Sequence, residues 1–362
     1  MKIMPHIVNF ASDVDAYEVF KDLYNHHRAN NGVQGLSYKQ DMTFEEKEKK
    51  AHNALMAEIS AKAGVDVAKF SAHELCTHPT YKWATFAVVS AVVDMIIPDT
   101  IIDSIGMFAE VRTGGWGDNF AFDIKPRDLF AVTVAGRGKR RSEVKKQFDG
   151  QVTITPVEHD ITVQASLYRM LAGKENIAEF AMKAARSLET QMTYDAYDAF
   201  NTLAASLPTT PTDGELFVSG YTKTDAVRLA QIVTAWNQGQ KAIFVGTQLA
   251  VQNILPDGDK YRYMLDSDYV KMGYIQTAFN YDVMVIPQVA DYSTPFKTKL
   301  DDTKIYVMSP TAGKPIKLCL EGSIISIVDD SYANANLTQN ATMKKAYGVG
   351  TAFSGVMGVI QL

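Results

Sequence analysis

At 362 residues the chain is too long for one small core and suits two or more packed units; with 46% apolar residues to fill them, large-scale disorder is excluded. The 36 basic and 41 acidic residues give a formal charge of −5, which excludes a protein that coats nucleic acid over its whole surface. Two cysteines, Cys76 and Cys319, are too few for a disulfide framework and suit a reducing compartment such as a bacterial cytoplasm, where each reads as a small buried apolar residue.

The start, Met1 to His6, lacks the charged-then-apolar pattern of a secretion signal because Pro5 and His6 interrupt it. Residues 1–80 are polar and broken by Asn30-Asn31-Gly32 and Gly35, which predicts an arm lying over a neighbour. Within it, Thr43 caps a helix with Glu46 three residues on, Leu55 and Ile59 lie one turn apart, and Gly64 ends the helix. The apolar stretch from Thr85 to Phe108 is long enough to span a bilayer, but Asp94, Pro98, Asp99 and Asp103 would each be costly in lipid, so it reads as protein interior.

Gly114, Gly115 and Gly117 around Trp116 permit backbone angles that other residues avoid and read as a hinge. Beyond them, Phe120, Phe122 and Ile124 alternate, Leu129 to Val134 follow Pro126, and the alternation resumes as Val152, Ile154, Ile161, Val163 and Ala165. This predicts a hairpin with legs Phe120–Val134 and Gln151–Ala165, each roughly 50 Å long at about 3.3 Å per residue. Its tip, Gly136 to Gly150, carries Arg137, Lys139, Arg140, Arg141, Lys145 and Lys146 against Glu143 and Asp149, a net +4 that leaves −9 on the rest of the chain. A solvated turn explains such charge equally well on charge alone; length and position favour an arm that seeks the acidic body of another copy.

A helix is expected from about Lys174 to Ser206, with Ile177, Ala181, Ala184, Leu188 and Met192 on one face. Pro208 and Pro211 end it and mark a junction. Between Glu215 and Met308 helix and strand signals alternate, with a helix at Thr224–Trp236 and short strands at Ala242–Val245 and Tyr281–Pro287, as in a compact mixed unit. The small, apolar run from Gly348 to Leu362 predicts a buried terminal strand.

Motifs for catalysis are missing. In His73-Glu74-Leu75-Cys76-Thr77-His78 the histidines stand five apart and diverge around a helix, where a zinc protease needs them four apart. Gly348-Val349-Gly350 and Gly136-Arg137-Gly138 lack the third glycine of a dinucleotide loop, and Ala312-Gly313-Lys314-Pro315 puts proline where a phosphate loop needs a hydroxyl. No nucleophile elbow occurs. The expectation is therefore a non-enzyme with no catalytic, cofactor or metal residues.

This order of elements resembles the Hong Kong 97-type major capsid protein of tailed bacteriophages. The passage from Ile161-Thr162-Val163-Gln164-Ala165 through Arg169-Met170-Leu171 into Glu175-Asn176-Ile177-Ala178-Glu179-Phe180 is similar to that family's run from extended loop into spine helix. Lys304-Ile305-Tyr306-Val307-Met308 followed by Pro315-Ile316-Lys317-Leu318 is similar to its return from the axial domain. The resemblance implies an α+β subunit with an N-terminal arm (1–80), a first part of the peripheral domain (81–118), an extended β-hairpin loop (119–165), a spine helix segment (166–210), an axial domain (211–310) and a return to the peripheral domain with a C-terminal strand (311–362).

It also implies pentamers and hexamers in an icosahedral virion shell assembled in the host bacterial cytoplasm, without cofactor or membrane. Its partners would be portal, scaffolding and decoration proteins, with nonspecific contact to packaged double-stranded DNA. The inter-subunit contact would come from Arg137, Lys139, Arg140, Arg141, Lys145 and Lys146 at the loop tip. Two alternatives stand beside this reading: an encapsulin-type shell around an enzyme cargo, and a nucleic-acid-binding protein using the basic tip, for which only Phe148 offers a stacking ring.

Overall fold

The computed structural model describes residues 10–30, 36–66, 69–106, 108–124, 132, 150–171, 174–207, 216–254, 273–286, 288–291, 294–328 and 339–362. In chain order the helices are α1 (Phe10–Asn30), α2 (Phe44–Ala63), α3 (Ala72–Thr77), α4 (Pro79–Ile105), α5 (Leu167–Leu171), α6 (Ile177–Ala205), α7 (Lys223–Trp236) and α8 (Gln248–Val251). The strands are β1 (Ala109–Gly114), β2 (Phe120–Ile124), β3 (Gly150–Ile154), β4 (Val157–Ala165), β5 (Phe217–Ser219), β6 (Ile243–Thr247), β7 (Thr277–Ala278), β8 (Tyr281–Ile286), β9 (Ala290–Asp291), β10 (Lys297–Thr298), β11 (Lys304–Met308), β12 (Ile316–Val328), β13 (Gln339–Thr351) and β14 (Gly358–Gln361).

Helix α2 starts where the sequence places it. The Thr43 hydroxyl accepts from the Glu46 amide while the Glu46 carboxylate accepts from the Thr43 amide, and Gly64 closes the helix with φ 65°. Its buried face, Ala51, Leu55 and Ile59, joins Phe20, Leu23 and Tyr24 of α1 in one core with α4 and α6. The segment expected as an arm is thus, from residue 10 on, largely a helical pair seated on its own chain. Its polar composition misled because only one stripe of each helix is apolar, which is enough when α4 and α6 supply the opposing surface.

Helix α4 is long and apolar enough to cross a membrane by length and composition. Two-thirds of its most apolar window is buried within the protein, and its Asp94 is tied to a lysine of β13. Helix α6 is capped by the Asn176 side chain, which accepts from the Ala178 amide, and buries Ile177, Ala181, Leu188, Met192 and Phe200 along its length.

Two sheets pack on this helical layer. A four-stranded sheet has the order β1-β12-β13-β4, and a six-stranded sheet the order β5-β14-β11-β6-β8-β7. The six-stranded sheet turns Val245, Tyr306, Met308 and Val359 toward the main core, where Tyr306 meets Phe200 of α6 at 4.5 Å between ring centroids. Its opposite face, with Phe244, Ile305, Val307 and Ile360, forms a second core with Leu229 and Val233 of α7 and Ala250 and Val251 of α8. The C-terminal residues do form a buried strand, but β14 lies between β5 and β11 in the six-stranded sheet. The return over 311–362 therefore reaches the four-stranded sheet through β12 and β13 and then crosses back.

The expected hairpin is also revised. Strands β2 and β3 pair antiparallel from Phe120↔Ile154 to Ile124↔Gly150. The second leg does not continue as one strand to Ala165: it breaks at Thr155-Pro156, where proline lacks an amide hydrogen, and β4 pairs instead with β13 from Val157↔Tyr347 to Ala165↔Gln339.

Candidate assembly surface

The predicted contact residues Arg137, Lys139, Arg140, Arg141, Lys145 and Lys146 lie outside the described residues. What the structure shows is the base on which their loop is mounted. Phe120 and Phe122 of β2, Ile154 of β3 and Cys319 of β12 form a small separate core, so the hairpin base is packed onto the four-stranded sheet.

Charge fastens the same junction. Glu110 on β1 accepts from Lys317 Nζ at 2.6 Å and from Arg112 Nε and Nη2 at 3.1 and 2.9 Å. Arg112 also donates to the Ala121 carbonyl at 2.6 Å and lies 4.5 Å from the Phe122 ring centroid, with Lys317 Nζ at 5.8 Å from that centroid. Burial alone would raise the Glu110 carboxyl; the hydrogen bonds and charges of Lys317 and Arg112 outweigh it and hold the group below its ordinary range.

The glycine-rich segment expected as a hinge is a pinned turn. The Gly115 amide donates to Asp118 at 2.6 Å, and the Gly117 amide donates to Glu321 at 2.6 Å. Trp116 lies over Gly322, whose φ of 55° sits in a stretch where the register of β12 against β13 shifts between Glu321 and Ile325. The Gly322 carbonyl in turn accepts from Lys345 Nζ at 2.6 Å, and the same ammonium meets Asp94 of α4 at 2.5 Å. A continuous chain of contacts therefore runs from the core helix through the bulge to the turn that starts the loop.

The return side of the loop is held to α6. His159 of β4 stacks on Tyr347 at 3.7 Å, and the Tyr347 hydroxyl donates to Asp195 at 2.6 Å. Burial, then Asp195, raises the Tyr347 hydroxyl far above its ordinary value, so it stays a donor throughout the pH range of a living cell. Sequence reasoning missed Glu110, Lys317, Lys345 and Asp195 as a set, because their partners lie 152 to 251 positions away.

No group of histidine, cysteine, aspartate and glutamate fit to hold a metal ion occurs among the described residues. Tested against solved structures, the chain is similar to the capsid of the native GTA particle computed with C5 symmetry, at 14% identity and a TM-score of 0.51, covering 73% of this chain and 90% of that one. The capsid of the empty GTA particle gives 14% identity and a TM-score of 0.48 over 72% and 89%. The mature capsid of bacteriophage PhiM1 gives 10% and 0.45 over 70% and 85%. The fold is that of the Hong Kong 97-type phage capsid subunit, with helix and strand combined as expected. No curated protein sequence matches the chain. The family described as "SPbeta prophage-derived putative capsid protein YonB" matches residues 19–361, and the chain belongs to that family as a phage capsid protein.

Proposed function

We propose that the chain self-assembles into pentamers and hexamers of an icosahedral head that encloses double-stranded DNA, as a virion component built in the bacterial cytoplasm. The observation that supports this most is the mounting of the hairpin base. The base is packed on the sheet through Phe120, Phe122 and Ile154 and ends in the pair Ile124 and Gly150, and the 25 residues between that pair carry all six basic tip residues. Such an insert, held firmly at its root, suits a contact made on another copy. Head-to-tail contacts of this kind join different patches of identical subunits and close into rings when the rotation permits.

The basic tip would meet acidic surface on the adjacent subunit, and portal, scaffolding and decoration proteins would complete the head. DNA contact at the inner face would be nonspecific and salt-sensitive. Replacing the six tip cations by Gln tests the charge step: shells should form more slowly or require higher protein concentration, most visibly at low salt. Unchanged assembly across salt concentrations would rule out tip charge as the driving contact.

A further inference from the structure

We infer that Phe296 and Trp236 are the two halves of a head-to-tail contact between copies of this chain, the separate β9–β10 hairpin that follows β8 in one copy meeting the far end of the six-stranded sheet in the next. The inference rests on the self-assembly just proposed and names a contact separate from the basic tip.

Phe296 is fully exposed, the most exposed large apolar side chain among the described residues. It stands in the link between β9 and β10 with φ 62°, a conformation costly for an aromatic residue. Around it, the Thr294 amide donates to the Asp291 carbonyl and the Lys297 amide to the Thr294 carbonyl, both at 3.3 Å. β10 pairs antiparallel with β9, Lys297↔Asp291 and Thr298↔Ala290. A strained backbone at Phe296 that presents a bare phenyl ring to water gains nothing in the isolated subunit.

Trp236 is the last residue of α7 and is 69% exposed. The helix end is fixed beneath it: buried Asn237 donates to the Val356 carbonyl at 2.8 Å and accepts from the Val356 amide at 2.9 Å. The indole is therefore held outward on a rigid support.

Chain order places the β9–β10 hairpin and Trp236 beside opposite ends of the six-stranded sheet. β6 and β8 are parallel, and α7 delivers the chain to the N-terminal end of β6, so Trp236 lies at that end. The segment with Phe296 leaves the C-terminal end of β8 and returns to β11, whose first residue paired with β6, Ile305, sits opposite Gly246 near the C-terminal end of β6. Exposed Leu249, in α8 directly after β6, is at this second end too. The ends are separated by roughly 16 Å of strand. One chain cannot bring them together; a second copy translated and rotated by one step can. Exposed aromatic anchors at two different places on identical subunits are what a heterologous, ring-forming interface requires.

The test uses the full chain. Two single variants, Phe296→Cys and Trp236→Cys, are mixed, assembled and treated with a short bismaleimide, with wild type and each variant alone as controls for Cys76 and Cys319. A linked dimer found only in the mixture is the expected result. Phe296→Ala and Trp236→Ala should each weaken association by at least about tenfold, with the monomer's circular dichroism unchanged because both side chains are exposed, and the double variant should be little worse than either single one. Particles that form from the mixture without a linked dimer, or alanine variants that associate like wild type, would overturn this contact while leaving the proposed shell intact. Wild-type chain that stays monomeric would overturn both.

Discussion

Gly322 is the residue on which the junction between loop and sheet turns. Its φ of 55° belongs to the left-handed region, and a β-carbon there would collide with the Trp116 indole. Gly322→Ala should cost about 1–3 kcal/mol, read as a lowered denaturation midpoint of the unassembled chain. Removing the indole as well, in Gly322→Ala with Trp116→Ala, should recover the steric part and leave the backbone part. The neighbouring Glu110 makes a pH prediction. Its carboxyl titrates below the ordinary range in the folded chain, so its ionised form contributes stability above the unfolded value near 4.3. That contribution is lost as pH falls through the lower folded value. The stability advantage of wild type over Glu110→Gln should therefore be full at neutral pH and shrink between about pH 5 and pH 3; a difference that stays constant over this interval would show that the pair with Lys317 and Arg112 does not act through charge.

Among the elements, α1 and α2 carry the clearest test of whether the N-terminal segment is core or arm. Leu55 has no exposed surface and packs with α4 and α6. Leu55→Ala should cost roughly 2–5 kcal/mol by chemical denaturation; a loss of under about 0.5 kcal/mol, as at a surface site, would return the segment to the status of an arm. The two helices also show what one sequence discloses. The Thr43 and Glu46 capping pair and the Gly64 stop could be read in advance because every partner lies within four residues. That α2 docks on α4 and α6 could not, since polar residues on its outer face lower its average without touching its buried stripe. The same limit applies to β4: its alternation of Ile161 and Val163 signals a strand, yet its partner is Met343 and Ala341, about 180 positions on. Pro156 was the one local sign that the leg would break there. At the loop base the aromatic alternation of Phe120 and Phe122 was legible, whereas Glu110, Lys317 and Lys345 looked like any other charges until the fold paired them.

The whole molecule is organised by α6, a helix of roughly 44 Å at about 1.5 Å per residue that touches both sheets. Its start meets α2 through Asn176, which donates to Glu48, and α4 through Phe180 beside Phe86, while its C-terminal half meets Tyr306 of the six-stranded sheet and, through Asp195, Tyr347 of the four-stranded sheet. A shared strut of this kind ties the two sheets to each other through one helix. That suits a building block whose edges must hold fixed angles to its neighbours, and it agrees with membership in a prophage-derived capsid family. Electron microscopy of the purified chain, concentrated at moderate salt, is the decisive measurement of self-assembly. Closed shells or isolated rings of five and six subunits are the predicted images; a uniform field of single 40.0 kDa particles at every concentration would contradict it.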